Sequence, residues 1–145
     1  MEGAAAAGQV AASNLSWSSP VNAAKLLFCR VDFQGPDADA TPSSLTSTSG
    51  DGFKLTGGGA AIPIFTDLQF HGFGGIGKTG MWLDNFENGT ITNIRANYCD
   101  TGVKWTNSPN ANVWNTGLVS ENRACGFSIS GAQSSEIINL TCQSN

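Results

Sequence analysis

The sequence predicts an all-β chain, a right-handed parallel β-helix of about five coils, with roughly 22–28 residues in each complete coil. Three observations carry that expectation. Only 12% of the 145 residues are charged and 18 are Gly, while 40% are hydrophobic, a mixture suited to short strands and tight turns. A motif of a small residue or Asp, then Gly, then apolar-x-apolar recurs along the chain. A second motif, apolar-x-Asn or Asp followed by further apolar positions, trails each copy of the first.

The first motif reads Asp51-Gly52-Phe53-Lys54-Leu55, Thr79-Gly80-Met81-Trp82-Leu83, Thr101-Gly102-Val103-Lys104-Trp105 and Cys125-Gly126-Phe127-Ser128-Ile129. Its glycines, Gly52, Gly80, Gly102 and Gly126, recur at similar intervals. The second reads Phe65-Thr66-Asp67-Leu68, Ile91-Thr92-Asn93-Ile94, Val113-Trp114-Asn115-Thr116 and Ile137-Ile138-Asn139-Leu140. The offset from Gly80 to Asn93 is repeated without change from Gly102 to Asn115 and from Gly126 to Asn139. From Gly52 to Asp67 it is slightly longer. A sustained period of this size marks a solenoid, in which each unit buries its apolar face against the next.

In chain order, residues 1–24 form an Ala/Gly/Ser-rich segment, of which Met1 to Asn14 is capable at most of a weak helix, and residues 25–145 form the solenoid. The first coil, near residues 25–50, is degenerate. Its Phe28-to-Gly35 stretch matches Phe65-to-Gly72 position by position. Further coils follow at 51–78, 79–100, 101–124 and 125–145. Alternation with period two makes each strand half buried. The absence of a Leu-rich consensus with helical segments argues against leucine-rich repeats.

Stacking equivalent positions at about 4.8 Å per coil gives expected columns. Leu55, Leu83, Trp105 and Ile129 point inward, as do Phe70, Ala96, Leu118 and Cys142. Lys54, Trp82, Lys104 and Ser128 point outward, as do Gln69, Arg95, Gly117 and Thr141. Asp67, Asn93, Asn115 and Asn139 form a structural ladder at a bend, because Asn tolerates left-handed backbone and its amide both donates and accepts.

These motifs resemble the pectate-lyase-like superfamily of single-stranded right-handed β-helices, over roughly residues 25–145. Within it the chain is most similar to the β-helical parts of bacteriophage tail spikes and tail fibres. The resemblance implies a homotrimer or larger assembly, a virion or extracellular location, and contact with a surface polysaccharide. A polysaccharide-degrading glycoside hydrolase or lyase is the alternative, because one coil architecture hosts both kinds of protein. The start, Met1 to Gly8, carries neither the positive region nor the apolar run of a signal peptide. The chain also departs from the family at both ends of the helix: there is no capping helix, and Asn145 follows a ladder strand directly. Further coils or partner chains are expected over that last coil.

Composition excludes other classes. A net charge of −4, with seven scattered Lys and Arg, does not make the basic face that a nucleic acid requires. No apolar run approaches the ~20 residues that span a bilayer. Cys29, Cys99, Cys125 and Cys142 make no C-x-x-C pair, so neither a metal nor a cofactor is expected. Cys29 and Cys142 fall in apolar strands as small hydrophobes, while Cys99 and Cys125 leave a disulfide or two buried thiols open.

For chemistry, hydrolysis requires two carboxyl groups about 5–9.5 Å apart. Asp84 with Glu87, and Asp100 with Glu121, are the weak candidates. His71 takes the place of Gln34 and reads as an exposed loop residue. For binding, Lys54, Trp82 and Lys104 would form a platform for an acidic saccharide, with Arg95 and Trp114 as further outward candidates.

Overall fold

The computed structural model describes residues 15–18, 25–35, 51–56, 62–107, 111–131 and 133–145. All ten elements among them are strands: β1 (Leu15–Ser18), β2 (Lys25–Gln34), β3 (Phe53–Thr56), β4 (Ile62–His71), β5 (Thr79–Asp84), β6 (Thr90–Asn97), β7 (Thr101–Thr106), β8 (Val113–Ser120), β9 (Cys125–Ile129) and β10 (Glu136–Gln143). The short odd-numbered strands form one parallel sheet, β1-β3-β5-β7-β9, and the long even-numbered strands form a second, β2-β4-β6-β8-β10. The chain alternates between the two sheets, which is the winding of a parallel β-solenoid. Its first sheet begins before residue 25, because β1 pairs with β3 from Leu15↔Phe53 to Ser18↔Thr56.

Left-handed backbone marks the corners. Of the residues with positive φ, all but Gly77 fall into four columns. Arg30, Asp67, Asn93, Thr116 and Asn139 make the first, and Gly72, Tyr98, Glu121 and Ser144 the second. Asn85, Asn107 and Gly131 make the third, and Asn88, Ala111 and Ser134 the fourth. The first column lies inside the long strands, so each is two short runs hinged at a left-handed residue. That hinge resets the alternation: in β4, Phe65 and Leu68 both point inward across Asp67, and Phe70 follows.

The core fills the space between the sheets. Phe33 stacks on Phe70 with centroids 4.7 Å apart, and Phe53 meets Phe65 edge to face at 5.6 Å. Further along, Trp105 packs edge-on against Phe86 at 5.3 Å and against Phe127 at 5.4 Å. Edge-to-face and offset pairs suit the aromatic quadrupole and add to what area burial contributes. The column Leu55, Leu83, Trp105 and Ile129 lies in register as the motif spacing predicts. Gly52, Gly80 and Gly102 are needed for close approach. A Cβ on each would lie 2.6 Å from the carbonyl oxygen of Gly80, 2.8 Å from that of Gly102 and 2.6 Å from that of Gly126, respectively.

The fourth coil departs from the expected register by one residue. β6 pairs with β8 as Ile91↔Trp114, Thr92↔Asn115 and Ile94↔Gly117. Asn115 therefore does not stand in the ladder; Thr116 does, with φ +67°. The additional residue lies between the third and fourth corners. Those corners are three residues apart in Asn85–Asn88 and Gly131–Ser134 but four apart in Asn107–Ala111. Because side chains alternate, a slip of one residue exchanges the faces of the strand. Trp114 is fully buried instead of outward, Val113 is 37% exposed, Val119 replaces Leu118 in the inward column, and Leu118 replaces Gly117 in the outward one.

Candidate functional site

The two sheets turn their outer faces in different directions, and the expected binding residues divide between them. On the outer face of the first sheet, Lys54, Trp82, Lys104 and Ser128 lie in register on β3, β5, β7 and β9. The Trp82 indole is half-buried and flanked by cations from the coil on each side. Lys54 Nζ is 3.6 Å from its ring centroid and Lys104 Nζ is 4.6 Å away. Hydrogen bonds fix the plane of the ring. Trp82 Nε1 donates to Thr106 Oγ1 at 2.8 Å, and Thr106 Oγ1 donates to Asp84 Oδ1 at 2.8 Å. Asn107 Nδ2 donates to the same Asp84 oxygen at 2.6 Å. An ordered indole with two ammonium groups beside it concentrates positive potential on a chain whose net charge is −4.

On the outer face of the second sheet, Arg95 is exposed in the column Asp32, Gln69, Arg95, Leu118 and Thr141. It belongs to the other sheet and makes no common site with the lysines. Trp114, buried against Trp105 and Phe127, is removed from any binding surface. In the same region His71 ends β4 rather than lying in a loop, and its Nε2 is 3.0 Å from Asp32 Oδ1.

The acids proposed for catalysis serve the corners. Asp84 accepts the two hydrogen bonds above. Asp100, 7% exposed, accepts from Gly77 N at 2.7 Å through Oδ2 and from Arg123 Nε and Nη2 at 2.8 and 2.6 Å through Oδ1. Glu121 accepts a hydrogen bond from the Tyr98 hydroxyl, which pushes the Tyr98 pKa above its ordinary value, with burial and the Glu121 charge adding to the effect. Glu87 is half-buried between the third and fourth corners. Three of these four carboxylates are thus committed to structural partners. Among the described residues no group of three or more His, Cys, Asp or Glu could hold a metal ion, and no helix is long and apolar enough to cross a membrane.

The polar residues that organise the turns are partly different from those the motifs single out. Asn112, fully buried, accepts from Gly89 N at 2.7 Å and donates to Phe86 O at 3.3 Å. Asn122 accepts from Cys99 N at 3.1 Å and donates to Ala96 O at 3.1 Å. Asn145 repeats that arrangement one coil on, accepting from Asn122 N at 3.1 Å and donating to Val119 O at 3.1 Å. The 23-residue spacing of Asn122 and Asn145 is the coil length, a sign that was present in the sequence. All four cysteines are thiols, and Cys29 is exposed on the strand opposite Thr66 rather than packed inward.

No family model, curated protein or solved structure matches this chain.

Proposed function

We propose that the chain is a structural and receptor-binding β-helix module, of the tail-spike or tail-fibre kind, that contacts an acidic surface polysaccharide. The observation that carries the reading is the Lys54–Trp82–Lys104 cluster on the outer face of the first sheet. Lys54 and Lys104 stand two coils apart, about 9.6 Å along the solenoid axis. A polyanionic chain running along that axis meets both cations without bending, and the rigid sheet loses little entropy on binding. A pectate-lyase-like ancestry, a virion or extracellular location and a homotrimeric assembly belong to the same proposal.

The test is calorimetric titration with polygalacturonate, with neutral dextran as control. Binding of polygalacturonate that weakens steeply between low and high salt supports the reading, since exposed charge pairs are screened. The Lys54→Gln/Lys104→Gln double variant removes both cations and leaves the core intact, so it should bind at least about tenfold more weakly, for a loss of roughly 1.4 kcal/mol. Equal affinity for dextran, or no change in the double variant, would contradict it.

A further inference from the structure

The second sheet carries a recess that the lysine cluster does not include. Two adjoining shallow depressions share Gln69 and Arg95. One extends to the corner residues Asp67 and Asn93, and the other to Asn97, Leu118 and Ser120. Together they make one trough that runs along β6 from the hinge at Asn93 to Asn97. Four residues of strand give it a length of about 13 Å, room for a short oligosaccharide.

Beyond the Asn93–Asp67 bond, this trough keeps hydrogen-bonding capacity for a ligand. Arg95 has no carboxylate partner among the described residues, where Asp100 pairs with Arg123 and Asp32 lies beside His71. Asp67, the nearest acid in the lining, is already engaged: Asn93 Nδ2 donates to its Oδ1 at 2.7 Å. The side chains of Gln69, Asn97 and Ser120 add amide and hydroxyl groups on either side of the guanidinium. Leu118 supplies an apolar contact in addition to Leu68, and it does so because of the one-residue shift of β8. A guanidinium fork flanked by neutral donors and acceptors, beside a small apolar patch, is complementary to a sugar ring that bears a carboxylate.

We infer that this trough is a second glycan subsite, which takes an oligosaccharide along β6, with a uronate carboxylate on Arg95 and ring hydroxyls on Gln69, Asn97 and Ser120. The inference rests on the acidic-glycan reading above, and adds to it a separate site of different orientation. Because its axis follows a strand, it suits a chain end or a branch rather than a long polymer running along the solenoid.

The experiment is amide and side-chain NMR shift mapping of the whole chain with tri-galacturonate, with maltotriose as the neutral control. The expected result is one set of shifts on Gln69, Arg95, Asn97, Leu118 and Ser120. The exposed Arg95→Gln change should weaken that set by about tenfold or more, as expected for loss of a charge-assisted bidentate contact. It should leave shifts at Lys54, Trp82 and Lys104 untouched. Shifts confined to the lysine cluster would overturn the second subsite and leave the first reading standing, as would trough shifts that Arg95→Gln does not weaken or that maltotriose reproduces. No shift on either face would overturn both.

Discussion

The Trp114 indole occupies the volume that the missing side chain of Gly117 leaves in the core. A Cβ on Gly117 would lie 2.6 Å from Trp114 Cζ2 and 2.8 Å from Nε1. Elsewhere in the same two columns the pairing is of ordinary apolar residues, Phe65 with Leu68 and Ile91 with Ile94. In β8 one large side chain and one absent one divide the same space.

That relationship makes the two positions energetically coupled. Gly117→Ala forces a methyl into the indole, and should destabilise the fold by about 2–3 kcal/mol. In Trp114→Phe the conflicting atoms are gone, and so is an indole N–H that is buried without a partner. The double variant should therefore be less destabilised than the sum of the single ones, by about 1 kcal/mol or more. Chemical denaturation of the four proteins measures the coupling; additive effects would show that the two side chains do not share a site.

Thr116 is a β-branched residue held at φ +67°, a conformation that such residues rarely adopt. It stands in a column otherwise occupied by Arg30, Asp67, Asn93 and Asn139. Thr116→Asn should relieve the backbone and extend the side-chain ladder that Asn93 and Asp67 begin. The expected gain is about 1 kcal/mol, read as a higher melting temperature. A lower one would mean that the contact of Thr116 Oγ1 with Asn115 Oδ1, 3.2 Å long, outweighs the strain.

Asp100 ties three coils together through Gly77 and Arg123. Asp100→Ala should cost about 2 kcal/mol, since it leaves a guanidinium that is only 30% exposed without its carboxylate. Asp100→Asn retains an acceptor for Gly77 N and should cost less. Proteolysis near Ile76, which is 88% exposed on the turn that Asp100 pins, should accelerate in the same order. Equal stability of the two variants would place the energy in packing rather than in these bonds.

Tyr98 is the single tyrosine of the chain, so its ionisation can be followed directly by ultraviolet absorbance. The hydrogen bond to Glu121 favours the neutral phenol, and the folded-state pKa is raised. The bond's contribution is therefore fully present below the unfolded pKa of about 10 and disappears as pH rises through the higher folded value. Glu121→Gln should move the titration down toward the ordinary value. A midpoint at or below that of the unfolded chain would contradict the assigned contact.

The repeat made the architecture legible, because glycines and alternating apolar residues report both the coil length and the two strand types. The Lys54–Trp82–Lys104 column was legible for the same reason, since β3, β5 and β7 follow the glycine motif directly. The register of β8 was not. Asn115 follows Gly102 at the same interval as Asn93 follows Gly80, so residue identity pointed to a ladder position that the backbone gives to Thr116. Seen from the flanking apolar positions, Trp114 and Val119 match Ile91 and Ala96, and that comparison alone distinguishes the two alignments. The buried amide of Asn112 was hidden for another reason. Its partners, Gly89 N and Phe86 O, are backbone groups of the neighbouring coil, which carry no side-chain signature. The Asp100–Arg123 pair joins residues one coil apart, and Asp100 and Glu121 also occupy comparable corners of adjacent coils, so spacing alone does not tell a structural acid from a catalytic one there.

Both proposed glycan surfaces depend on which residues face outward, and the second depends on the register of β8. The most direct measurement is of through-space proton contacts from the Trp114 indole by NMR. The fold predicts contacts to the Gly117 α-protons and to the Ile91 and Phe127 side chains, with Val113 in water. An indole accessible to solvent, with Val113 packed against the core in its place, would contradict it.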